Sequence, residues 1–331
     1  MKHVNVGLFV VHKGCPHKCS FCDQRSITGA PDELTPEDVK AAAQTALASL
    51  DSETAACGEI AFFGGSFTMI NRDYMISLLE SAYEYVSKGL FGGIRISTRP
   101  DGIDDEICRI LKSYGVTAVE LGAQSMNDRV LALNERGHTA KQVEDACRML
   151  KDFGFETGLQ MMTGLYGSDD DDSIETAQKI IALSPDTVRI YPTVVLAGTV
   201  LDSLMKSGEY NPPGVEQTVN LCAKLIPMFE KAGLRILRVG LHSGGNVESE
   251  YTGGAYHPAL GELCEGRVYR NNAESLLASY PEGSYTLAVG GGMASRMAGH
   301  KKCNTDYLRQ KGYICKIIQD SSLNKYEVKV R

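Results

Sequence analysis

Short and nearly uninterrupted apolar runs recur along the first 240 residues, at 6–11, 59–63, 94–98, 118–121, 157–163 and 188–195. Between them, residues 37–50, 74–86, 141–153 and 174–183 carry apolar positions at helical spacing. Strands that are apolar on both faces, joined by amphipathic helices, build a parallel sheet covered on both sides. Six strand–helix units are complete by about residue 210, fewer than the eight of a closed TIM barrel. The pattern therefore predicts an α/β fold, a partial (β/α)6 TIM-like barrel, with ligands gathered at the C-terminal ends of its strands. A helix at 215–232 and a strand at 234–239 close this section, after the loop signal Pro212-Pro213-Gly214.

Past residue 240 the alternation stops. Residues 242–254 are rich in Gly, Ser and Asn. The tail then reads as a helix at 258–267, a strand at 284–289, a helix at 293–310 and strands at 313–319 and 325–330. Two domains are expected: a core over 1–240 and a small C-terminal α+β element over 241–331.

Composition narrows the function classes. Of the 331 residues, 43% are hydrophobic, as in ordinary globular proteins. No run approaches the ~18 apolar residues of a membrane span, and no cleavable signal is expected at the N-terminus. Ten cysteines without a secretory signal point to a reducing, cytoplasmic setting with free or metal-bound thiols. The net charge of −7 is unevenly spread: residues 290–331 hold nine Lys/Arg against three Asp/Glu. Such a basic terminal element fits a polyanion, or simply a solvated face.

The densest chemistry follows the first apolar run. Cys15, Cys19 and Cys22 have the spacing C-x3-C-x2-C on the loop after that strand. Three thiolates on one loop can hold a cubane iron–sulfur cluster, whose fourth iron then stays open to a non-protein ligand. A zinc site would need a fourth ligand, which His12 or His17 offers. Purely structural thiols are the third reading. The next strand ends in Phe62-Phe63-Gly64-Gly65-Ser66-Phe67, where paired glycines let a ligand approach the backbone or make a turn. Later strands end in Ser97-Thr98-Arg99-Pro100-Asp101, Glu120-Leu121-Gly122-Ala123-Gln124-Ser125, Met161-Met162-Thr163-Gly164-Leu165 and Arg189-Ile190-Tyr191-Pro192-Thr193. Polar residues at that many successive strand ends exceed what packing alone needs. The acidic run Asp169 to Asp172 directly precedes a helical pattern and reads as N-terminal capping rather than as a metal site.

Taken in order, CPHKCSFC, FFGGSF, STRPD, VELGAQS, NERGHT, MMTGLYG and RIYPTVVLAGTVLDSLMKSGEY resemble the radical S-adenosylmethionine (SAM) superfamily. The similar branch is the radical SAM domain of the Elongator catalytic subunit and its bacterial relatives. The resemblance implies a radical SAM barrel with a [4Fe–4S] cluster on Cys15, Cys19 and Cys22, and SAM on its open iron. It implies Phe21 beside the adenine, Gly64 and Gly65 at the methionine end, Thr98 and Gln124 near the ribose, and Leu165 behind the adenine. Arg136 would meet the SAM carboxylate or serve a structural ion pair. The implied activity is generation of a 5′-deoxyadenosyl radical, with RNA (tRNA) modification as the first substrate reading. A small metabolite or tetrapyrrole-like substrate is the alternative, and a non-catalytic, cluster-containing RNA-binding protein is a third. A flavodoxin or ferredoxin would donate the electron, and no membrane partner is implied.

Departures from that branch are Arg189 where Lys is expected and Ser66 where Thr is commoner. Only 14 residues precede Cys15, so the branch's N-terminal RNA-binding extension is expected to be missing, as are its acetyltransferase domain and coenzyme A. Residues 293–304 faintly resemble a KH module, whose G-x-x-G loop clamps a nucleic-acid backbone, with Lys302 in place of the second glycine. Among the other seven cysteines, most read as small buried hydrophobes, and Cys264, Cys303 and Cys315 are candidates for an auxiliary cluster.

Overall fold

The computed structural model describes residues 4–10, 15, 18–23, 33–241 and 246–331. His12 and His17, the imidazoles considered for zinc, lie outside them. Strands β1 (Asn5–Val10), β2 (Glu59–Gly64), β3 (Gly93–Thr98), β4 (Val116–Gln124), β5 (Glu156–Thr163) and β6 (Thr187–Pro192) pair side by side in chain order, all parallel. The crossovers are helices α1 (Pro36–Ser49), α2 (Arg72–Val86), α3 (Asp105–Ser113), α4 (Ala140–Asp152) and α5 (Asp170–Leu183). Each starts at a side-chain cap: Thr35, Asn71, Asp104, Thr139 and Asp169 accept from backbone N–H groups of the first turn. The acidic run at 169–172 is thus a capping box, as the sequence suggested, with Asp169 and Asp172 satisfying each other's backbone.

In the core, two features differ from the sequence reading. The run at 188–195 is divided: β6 ends at Pro192, and a short strand β7 (Val194–Leu196) leaves the sheet. Thr193 causes the turn, since its N–H and hydroxyl both bond the Thr163 carbonyl, at 2.9 and 2.8 Å. After helices α6 (Val200–Ser207) and α7 (Val215–Lys231), strand β8 (Arg235–Val239) joins β6, making seven parallel strands. β1 and β8 remain unpaired with each other, so the sheet is an open half-barrel.

The tail is built around strand β9 (Tyr251–Gly254), which pairs antiparallel with β7, helix α8 (Leu260–Leu277), strand β10 (Gly283–Val289), helix α9 (Cys303–Gln310) and strands β11 (Tyr313–Gln319) and β12 (Val328–Val330). α8 runs ten residues past the expected end at 267, held by buried Val268, Tyr269, Ala273 and Leu277. The expected helix at 293–310 is broken. Gly299, Lys301 and Lys302 all have positive φ, at 78°, 50° and 66°, and a turn separates a helix at Ala294–Ala298 from α9. β10 is the centre of a second, three-stranded sheet, parallel to β11 and antiparallel to β12. Among the described residues, no helix is long and apolar enough to cross a membrane.

Candidate functional site

The strand ends of the half-barrel border one cavity of about 920 Å³, and Cys15, Cys19 and Cys22 all line it. Their loop is pinned from outside. Asn134 accepts the Ser20 N–H through its carbonyl at 3.2 Å and the Ser20 hydroxyl through Oδ1 at 2.8 Å. Its own amide is held by the Val130 and Tyr166 carbonyls at 2.8 and 2.9 Å. Asn134 is completely buried. The NERGHT stretch thus supplies the loop's anchor, a role that sequence reading did not assign.

Two residues on, Arg136 donates from Nη1 to Cys19 Sγ at 3.1 Å and from Nη2 to the Gly122 carbonyl at 2.7 Å. Its guanidinium lies 5.9 Å from the centre of the Phe21 ring. Burial, and then the charges of Cys19 and Cys15, push the Cys22 thiol up to about 12, against the pull of Arg136. Cys15 is pushed up as well, by burial first and then by the charge of Cys19. A soft metal centre would take up the charge that these thiols acquire on ionising. Among the described residues, no three Cys, His, Asp or Glu side chains are already gathered as a metal-binding group. That holds for the three thiols and for Cys264, Cys303 and Cys315. Of the latter, Cys264 is buried in α8 beside Cys222, while Cys303 is exposed.

Gly64 and Gly65 form the adjoining wall. Gly64 has φ +106°, and a Cβ there would stand 2.8 Å from the Val10 carbonyl oxygen. That oxygen accepts the Gly65 N–H at 2.7 Å, tying the glycine loop to the strand end that leads into the cysteines. Thr98 also lines the cavity, but its hydroxyl is engaged by Ser66 and Thr68 hydroxyls at 2.9 and 2.6 Å, clasping β3 to the glycine loop. Gln124 sits at φ +63°, where the β4–β5 register slips, and its buried Oε1 has no partner among the described residues. Arg136 Nε is buried and unpartnered in the same way. A strained backbone and orphaned polar atoms around one cavity are marks of a ligand site.

Phe21, Gly64, Gly65, Thr98, Gln124 and Arg136 are thus brought together with the three cysteines. Leu165 is not: it is buried, at 2% exposure, but outside the cavity lining.

The cavity floor is polar in a way the strand-end motifs only partly announced. Arg189 donates twice to the buried Glu120, at 2.6 and 2.9 Å, and its guanidinium lies 5.4 Å from the centre of the Phe63 ring. Gln160 bonds Glu120 at 2.9 Å. Behind them Arg95, 1% exposed, reaches Glu59 at 2.6 Å, Glu156 at 2.7 Å and Glu120 at 3.4 Å. Gln160, Tyr191 and Arg238 also face the cavity and were not singled out as site residues. For Tyr191 a signal was present as the period-two polar spacing Arg189-x-Tyr191, within a strand that looks apolar overall, whereas Gln160 and Arg238 have no such polar neighbour at that spacing.

Comparison with known proteins agrees with this geometry. Residues 185–270 match the radical SAM C-terminal domain model. A tRNA uridine(34) acetyltransferase of Dehalococcoides mccartyi is 27% identical over 233 residues, 60% of this chain and 50% of that one. The human Elongator complex protein 3 is 33% identical over 190 residues, 51% of this chain and 35% of that one. The chain therefore spans half or less of the length of these relatives. The solved structure of archaeal Methanocaldococcus infernus Elp3, with an N-terminal deletion, superposes with a TM-score of 0.64 at 21% identity, over 82% of this chain and 63% of that one, and so shares the fold. Residues 9–180, which carry the cysteine loop and most of the first five strands' cavity residues, match the radical SAM superfamily model, and the chain belongs to that superfamily.

Proposed function

We propose that Cys15, Cys19 and Cys22 hold a [4Fe–4S] cluster, and that SAM lies between it and the Gly64–Gly65 wall. Once reduced by a flavodoxin- or ferredoxin-type donor, such a pair supplies homolytic cleavage of a carbon–sulfur bond and hydrogen abstraction from unactivated C–H groups. The chain's own residues provide the rest. Arg136 offsets negative charge at Cys19, Gly64 makes the left-handed turn that sets the glycine loop against the Val10 backbone, and Gln124 Oε1 stands ready to accept a hydrogen bond. The observation that carries the reading is the convergence of three thiols, a glycine wall and three orphaned polar atoms, Gln124 Oε1, Arg136 Nε and Arg99 Nη1, on one cavity.

RNA of the tRNA class is the substrate reading, supported by relatives named for tRNA uridine chemistry. The terminal element would be the RNA contact, but its charge is thinner than its composition suggests. Arg296, Arg309, Lys311, Lys325, Lys329 and Arg331 are each ion-paired. Among the described residues this leaves Lys301, Lys302 and Lys316 without carboxylate partners, and the first two sit on the exposed left-handed turn.

The test is anaerobic reconstitution followed by SAM cleavage, with and without cell RNA. Wild type should bind four irons and release 5′-deoxyadenosine. Cys19→Ala should lose iron, and Cys108→Ala, in the core, should keep it. Full iron in Cys19→Ala, or zinc in the anaerobic wild type, would overturn the assignment.

A further inference from the structure

The cavity holds more positive charge than its walls neutralise. Among the described residues no Asp or Glu lines it, while four arginines do. Arg99 is neutralised by Asp101 through two bonds of 2.9 Å, although its Nη1 is buried without a partner among the described residues, and Arg189 is closed on Glu120. Arg136 serves the cysteine end, at Cys19 and Gly122. Two cations remain, Lys18, exposed on the cysteine loop, and Arg238 on β8. Arg238 donates only to the carbonyls of its own turn, Gly240 at 3.1 Å and Leu241 at 3.3 Å, and has no carboxylate within ion-pair reach among the described residues.

Its position limits what could pair with it. Arg238 is the register partner of Arg189, and lies one residue inside the end of β8 rather than on a loop at the mouth. Tyr191, two residues after Arg189, faces the same cavity. Burial keeps its phenol protonated and therefore a donor, though Arg189 and Arg238 both pull the other way. Phe9 and Phe63 also line the cavity, with ring centres 6.3 Å apart. The cavity thus combines a donor-rich, cationic patch with an aromatic one. Its volume, about 920 Å³, lies near the top of the roughly 300–1,000 Å³ usual for one ligand, which leaves room beside a cofactor.

We propose that Arg238, with Tyr191, binds the carboxylate or phosphate of a small organic co-substrate whose apolar part lies against Phe9 and Phe63. The proposal rests on the radical SAM reading only in making that molecule a reactant; the anion site itself stands on the unpaired guanidinium. A partly buried guanidinium without a counter-ion is costly, and an arriving bidentate anion relieves that cost. An RNA backbone is a poorer fit, because Arg238 sits within the barrel wall.

The probes are 3-phenylpropionate, phenyl phosphate and the uncharged 3-phenylpropionamide, titrated calorimetrically into the reconstituted full chain. One of the two anions should bind at least tenfold more tightly than the amide, and which one does so tells carboxylate from phosphate. Arg238→Gln should weaken that anion by about 10- to 100-fold, the equivalent of one charge-assisted hydrogen bond or pair, and leave the amide unchanged. Arg238→Lys should restore part of the loss. Equal binding of anion and amide, no binding of either anion, or an Arg238→Gln variant as good as wild type would overturn the proposal. Should Arg238→Gln fail to fold, the wild-type anion-to-amide ratio and Arg238→Lys still decide it. Iron content and SAM binding of the wild type test the radical reading separately.

Discussion

Gly64→Ala separates a ligand cradle from an ordinary turn. At φ +106° an alanine pays for the backbone conformation alone about 1–3 kcal/mol. Its Cβ would also lie 2.8 Å from the Val10 oxygen and 3.2 Å from the carbonyl carbon, so the end of β1 has to move. That movement endangers the 2.7 Å bond from Gly65 N–H to the same oxygen, worth about 0.5–1.5 kcal/mol. The total expected loss is about 2–4 kcal/mol. Gly89→Ala is the control, because Gly89 also has positive φ (+70°) but nothing within 4 Å of an added Cβ. It should lose only the conformational part, about 1–2 kcal/mol. Urea unfolding of the cluster-free proteins measures both, read as a shift in midpoint at constant slope. Because β1 leads straight into the cysteine loop, Gly64→Ala should also weaken SAM binding tenfold or more, while Gly89→Ala leaves it alone. If Gly64→Ala costs no more than Gly89→Ala and binds SAM normally, the close approach at Gly64 has no functional meaning.

Two further outcomes follow from charge. Arg95→Met removes the cation shared by Glu59, Glu120 and Glu156 and should cost about 3–5 kcal/mol at pH 7. Burial pushes the Glu156 carboxyl up, but hydrogen bonds and charge from Arg95 and Arg235 outweigh it and hold it below its ordinary value. Its stabilisation is therefore present above the ordinary carboxylate range and lost as pH falls through the lowered value. The gap between wild type and variant should narrow below about pH 4, and a gap that widens in acid would refute the account. Lys301→Glu with Lys302→Glu should weaken RNA binding several-fold. It should also flatten its salt dependence, by about 0.7 log units per log unit of salt for each single-strand phosphate that is no longer neutralised. Filter binding across a salt series reads both quantities, and unchanged affinity and slope would remove this turn from any RNA surface.

The sequence by itself determined the features whose physics is local. Apolar runs and helical periodicity carry the strand–helix alternation, and Asp169 marks a helix start because a cap needs only its next three residues. The cysteine spacing and the glycine pair were equally legible, since each is one short segment. The break at Gly299 was not, because two non-glycine residues there adopt left-handed backbone and the helical pattern runs through them. What tertiary structure alone decided is which distant side chains meet. Asn134 became the anchor of a loop 114 residues away, Thr98 a clasp for Ser66, and Arg95 the centre of three carboxylates. The same holds for Arg189 and Arg238. In the sequence they are alike, one arginine in each of two strands. Register places both on the cavity, but only Arg189 reaches Glu120, on the far side of β5, so one is neutralised and the other has no carboxylate partner among the described residues.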